Sequence, residues 1–130
     1  MAEQDVFEVW KPIDGIPDIL NLKSLTDDLE KISIELKCDD ESKPGLKITF
    51  KQPMLYRNIY HQYRLSIWES NPELEQQTLF TIKNSDTLEY MHELNNNVYK
   101  DRPFVHYAIY TGHDCIDVIS DIEPEVEWLE

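Results

Sequence analysis

The sequence predicts an α+β domain in which a largely antiparallel sheet of five or six strands carries one helix, over about residues 86–96, on one face. Three observations lead there. Several short runs alternate apolar and polar residues, as half-buried strands do. One stretch joins a capping signal to apolar residues at helical spacing. Polar turns, rather than linkers rich in Gly, Ser or Pro, separate these runs. At 130 residues the chain fits a single domain, 1–130, with one core.

In order, Val6-Phe7-Glu8-Val9-Trp10 is a short apolar stretch followed by a loop with two prolines, Pro12 and Pro17. Asp18 to Leu29 reads two ways. Ile19, Leu22, Leu25 and Leu29 approach helical spacing, while the Thr26-Asp27-Asp28 turn suits a β-hairpin; the strand close behind favours an irregular or extended segment. Ile32, Ile34, Leu36 and Cys38 alternate with polar residues, as do Leu46, Ile48 and Phe50, and the loop between predicts an antiparallel hairpin. A third strand is expected at Tyr63–Glu69, from Leu65 and Ile67, and a fourth at Thr78–Lys83. Asp86, with Glu89 three residues on, predicts the helix N-cap, and Asn95-Asn96-Asn97 predicts its end. Phe104–Thr111 is apolar on both faces, as a central strand is, and Gly112-His113-Asp114 turns it into Cys115–Ser120.

The net charge of −14, from 26 acidic and 12 basic residues, opposes binding to nucleic acid or anionic membrane and favours a basic protein partner. The charge is uneven. Residues 1–41 hold twelve acids and four lysines; Ser42–Trp68 has no acid and five bases (Lys43, Lys47, Lys51, Arg57, Arg64); Asp114–Glu130 has seven acids and no base. The simplest reading packs the basic middle beside an acidic end, and an anion-binding face is the functional alternative.

Chemical motifs are sparse. HxxxH, HExxH, CxxC and GxSxG are absent, so no catalytic, cofactor-binding or metal-ligating set is expected. Cys115 stands two residues from His113 among carboxylates, which do not acidify a thiol. Asp117 and Asp121 read as a solvated edge. Cys38 and Cys115 are expected as reduced buried thiols, a disulfide requiring that their strands be neighbours. No signal peptide or apolar membrane span is read, and a cytoplasmic location is expected.

Two segments are candidate interfaces. Met54–Arg64 gathers Tyr56, Arg57, Tyr60, Tyr63 and Arg64, residue types enriched at binding hot spots; otherwise its tyrosines cover a sheet edge. The tail offers Asp121, Glu123, Glu125, Glu127 and Trp128, either as a final edge strand or as an acidic arm. A pocket near His106, Tyr107 and Arg57, serving a small ligand or an enzyme reaction, is the alternative from another class. A structural subunit of a larger assembly is a third.

Three stretches carry a resemblance: Gly45-Leu-Lys-Ile-Thr-Phe-Lys leading to Tyr56-Arg57, then Asn84-Ser-Asp-Thr-Leu-Glu-Tyr-Met-His, then His106-Tyr-Ala-Ile-Tyr running into Cys115-Ile-Asp-Val-Ile-Ser. This layout resembles small standalone bacterial proteins, some of which look like immunity proteins of polymorphic toxin systems. The resemblance spans most of the chain from residue 30 onward and assigns no residue a role. It implies a small, acidic, non-enzymatic protein that binds a basic toxin or another cationic partner.

Overall fold

The computed structural model describes residues 5–40 and 42–129. Its nine strands form two antiparallel sheets, where the sequence suggested one sheet of five or six. The first sheet has the order β1-β6-β7-β8-β5: β1 (Val6–Val9), β6 (Leu79–Lys83), β7 (Val105–Tyr110), β8 (Asp114–Ser120) and β5 (Leu55–Tyr60). The second is β2-β3-β4-β9: β2 (Asn21–Asp27), β3 (Lys31–Lys37), β4 (Leu46–Lys51) and β9 (Glu125–Trp128).

The period-two pattern explains why the sheets stack. Ile32, Ile34 and Leu36 of β3 and Leu46, Ile48 and Phe50 of β4 all point inward and are buried against Leu79, Tyr107, Ile109, Ile116 and Val118 of the first sheet. Each fully buried side chain of this kind contributes roughly 1.5–3 kcal/mol. The intervening Lys31, Glu35, Lys37 and Lys47 face water, with Glu35 opposite Lys47 and Lys47 opposite Glu127. The expected β3–β4 and β7–β8 hairpins are present. The doubtful stretch 18–29 forms the edge strand β2, with a bulge between Leu22 and Ser24.

A strand apolar on both faces needs a second cover, and β6, β7 and β8 find it in a helical layer. Phe80, Ile82, Ala108, Tyr110 and Cys115 pack there against Trp68 and Leu74. Trp68 belongs to α1 (Leu65–Ser70), which overturns the strand expected at Tyr63–Glu69. Leu65 is exposed and Trp68 buried, so the apolar spacing at this site is helical rather than alternating. Helix α2 (Asp86–Leu94) stands where the capping signal placed it, with one correction. Ser85, not Asp86, is the N-cap, its Oγ accepting the Leu88 N–H at 3.0 Å. Asn96 and Asn97 turn the chain after the helix with φ of 54° and 62°, values that asparagine tolerates.

Cys38 packs in the core between the sheets and Cys115 on the opposite face of the first sheet, both as free buried thiols. Their strands are not neighbours. No helix among the described residues is long and apolar enough to cross a membrane.

Candidate functional site

The helix-facing side of the first sheet holds a buried polar cluster centred on Asp117. Strand alternation turns Asp117 of β8, His106 and Tyr110 of β7 and Arg57 of β5 to this one face. Register does the rest. Arg57 lies directly opposite Asp117 on one side, and Ala108 lies opposite it on the other. The small Ala108 leaves space over its methyl group, and His106 and Tyr110, two residues to either side, lean into it.

Asp117 is fully buried, yet its carboxylate is saturated with donors. His106 Nε2 and the Tyr110 hydroxyl reach Oδ1 at 2.8 and 2.7 Å. Arg57 Nε and Arg64 Nη1 donate to Oδ2 at 3.1 and 2.8 Å. Arg64, the residue before α1, also donates to the Tyr110 oxygen at 3.0 Å, and Arg57 Nη2 reaches Thr87 Oγ1 of α2 at 3.1 Å. The cluster therefore pins the start of each helix to the sheet.

Burial alone would push the Asp117 carboxyl upward. The His106 hydrogen bond and charge, the Arg64 charge and the Tyr110 hydroxyl outweigh it and hold Asp117 below its ordinary range. Burial and the Asp117 charge push the Tyr110 phenol far up, so it stays a donor. Cys115 on the same face is pushed up to about 11 by burial, which leaves it an inert thiol.

His106 links this centre to α2. An ionised carboxylate only accepts, so Nε2 carries a proton toward Asp117, while Nδ1 meets Ser85 Oγ at 2.7 Å. Ser85, His106 and Asp117 thus share the composition of a nucleophilic triad. Their setting is structural. Ser85 Oγ is occupied as the helix cap, His106 is 1% exposed with no side open to a substrate, and Asp117 is shared by two guanidiniums.

The three residues named for a small-ligand pocket, His106, Tyr107 and Arg57, do not converge on one cavity. His106 faces the helices and Tyr107, its neighbour, faces the core between the sheets. Surface clefts of about 290 to 580 Å³ among the described residues are lined by other side chains. Comparison with protein-family models, curated proteins and solved structures gave no match.

The candidate interface residues divide into two groups. Tyr56, Arg57 and Tyr60 lie on β5, an edge strand, and Tyr63 follows in a 3₁₀ turn at His61–Tyr63. Tyr60 and Tyr63 are 60% and 72% exposed, with ring centroids 6.4 Å apart. Tyr56 instead donates its hydroxyl to Asp27 of β2, and Arg57 and Arg64 turn inward, their side chains 36% and 13% exposed. In the tail, Glu125 pairs with Lys51 at 2.9 Å, Glu127 lies opposite Lys47, and Asp121 is held by Arg102. Glu123 and Trp128 remain exposed. The basic middle of the chain thus packs against the acidic residues that follow it, and Asp117 is a buried hub, not part of a solvated edge with Asp121. The two groups stay apart. Tyr56 touches β2, and β9 lies at the other edge of the second sheet.

The sequence reading missed the Asp117 cluster. Its one signal is an acid at the middle of Cys115-Ile-Asp-Val-Ile-Ser, a strand otherwise apolar on both faces, where a charge requires a partner.

Proposed function

We propose that this chain is a non-enzymatic protein-binding domain that engages a cationic partner, as an immunity-type inhibitor would, through the exposed tyrosines at the end of β5. The carrying observation is how the fold distributes charge. Two guanidiniums and one carboxylate meet in the Asp117 cluster, which holds +1 of the net −14 and leaves −15 for the rest of the chain. A basic partner would be steered by that surface and anchored by Tyr60 and Tyr63. Acids stand beside them: Asp114 is opposite Tyr60, and Glu75 lies 3.8 Å from His61. Two tail acids, Asp121 and Glu125, are paired with Arg102 and Lys51, so the tail contributes to steering rather than to the anchor.

The test is capture of partners by the tagged protein at low and high salt, then binding kinetics with the purified partner. One stoichiometric basic protein is expected, with an association rate that falls as salt rises. Y60S/Y63S should speed dissociation, and E123Q/E125Q/E127Q should mainly slow association. Unchanged binding by Y60S/Y63S would refute the anchor, and salt-independent association would refute the charge argument.

A further inference from the structure

Six of the twelve basic side chains pair with a carboxylate among the described residues; of the other six, three lysines gather at one end of the second sheet. Lys23, Lys37 and Lys43 make no ion pair among the described residues. Lys23 is the residue at the β2 bulge, between Leu22 opposite Leu36 and Ser24 opposite Glu35, so it has no ladder partner and its side chain is re-aimed. Lys37 ends β3 opposite Asn21, and Lys43 lies in the loop that leads to β4. All three line two adjoining clefts. One, of about 540 Å³, is closed by the β7–β8 turn at Thr111 and His113 and includes Asp39 and Asp114. Each of those carboxylates accepts from an amide, Asp39 from Asn21 and Asp114 from Asn58. The other, of about 390 Å³, is walled by Leu36, Ser42, Pro44, Gly45 and Leu129, and among the described residues no carboxylate lines it.

The net charge of −14 argues at first against an anion site. Distance decides the matter. At physiological salt the Debye length is about 8 Å, so distant acids are screened, while three ammonium groups around one cleft act together. The near acid, Asp40, is held low by hydrogen bonds from Ser42 and by the Lys43 charge. Lysines are point charges without the planar fork of arginine, which suits a compact, multiply charged oxyanion more than a single planar carboxylate.

We infer that Lys23, Lys37 and Lys43 form a binding site for a small phosphate-bearing anion, seated in the cleft that the three lysines share with Ser42, Pro44 and Gly45. The site is independent of the tyrosine surface and would survive the failure of that reading. The test is a titration of the ¹⁵N-labelled protein with pyrophosphate, and separately with ADP, against sodium chloride of equal ionic strength. Amides of Lys23, Lys37 and the Ser42–Gly45 turn should shift saturably with pyrophosphate and not with chloride. K23Q/K37Q/K43Q should weaken binding by about tenfold or more, while K11Q/K31Q/K47Q, with the same change of charge, should not. Tighter binding of ADP than of pyrophosphate would identify a nucleotide as the source of the phosphate, and equal binding would identify the phosphate group alone. Shifts that do not saturate, or equal weakening by both triple variants, would overturn the site.

Discussion

Replacing Asp117 with Asn tests whether the buried cluster holds the helical layer to the sheet. Asp117 accepts four hydrogen bonds, two of them from guanidiniums. Asparagine keeps one acceptor oxygen and turns an NH₂ toward two of the donors, and both arginines lose their counter-charge. Removing one partner of a buried ion pair costs about 3–5 kcal/mol. Arg57 is 36% exposed and can turn toward water, so the lower end, about 3 kcal/mol, is expected. That is a large share of the roughly 5–15 kcal/mol that stabilises a typical domain. Urea unfolding followed by tryptophan fluorescence should show it. With a slope of about 1.5 kcal/mol/M the midpoint should fall by about 2 M at unchanged slope. A fall of less than about 0.5 M would refute the reasoning. The same variant carries a pH signature. The folded pKa of Asp117 is lowered from 3.8, so its contribution is complete above the unfolded value and lost as pH falls through the folded one. Wild-type stability should therefore decline below about pH 4 by a component that D117N lacks.

Cys38 and Cys115 should resist iodoacetamide at pH 8 in the folded protein and react promptly in urea, because both are buried and Cys115 is pushed up to about 11; mass spectrometry reads the outcome, and rapid native labelling of Cys115 would contradict its placement. Gly45→Ala should destabilise by roughly 1–3 kcal/mol, since its Cβ would stand 2.4 Å from the Leu36 carbonyl oxygen. Gly112→Ala, whose Cβ meets nothing within 4 Å, should stay within about 0.5 kcal/mol in the same denaturation assay.

What could be read from the sequence followed from local rules. Strands β3 and β4 announce themselves by alternation, β6 to β8 by apolar runs bounded by polar turns, and α2 by its polar start and asparagine end. The α1 segment was misread because Leu65 and Ile67 alternate like a strand over too few residues to separate the two periods. Its start carries no side-chain cap; the residue there, Arg64, is fixed instead by Asp117 and Tyr110, 53 and 46 positions away. The division into two sheets was equally hidden, because it depends on whether β4 continues beside β5 or crosses to the other layer at residues 52–54. The candidate interface was drawn from residue types alone. Type could not show that Arg57 and Arg64 turn inward while Tyr60 and Tyr63 stay out.

The order in which strands meet has a kinetic consequence. Val9 pairs opposite Phe80, Thr49 opposite Glu125 and Tyr60 opposite Asp114, so three of the seven pairings close loops of more than fifty residues. Each such closure costs on the order of 4 kcal/mol in chain entropy before any contact repays it. Folding should therefore start from the local β3–β4 and β7–β8 hairpins and take milliseconds to seconds, as for other chains dominated by distant pairings. Until β9 and β5 arrive, β4 and β8 present open edges, and in that interval the chain is most exposed to association with its own copies.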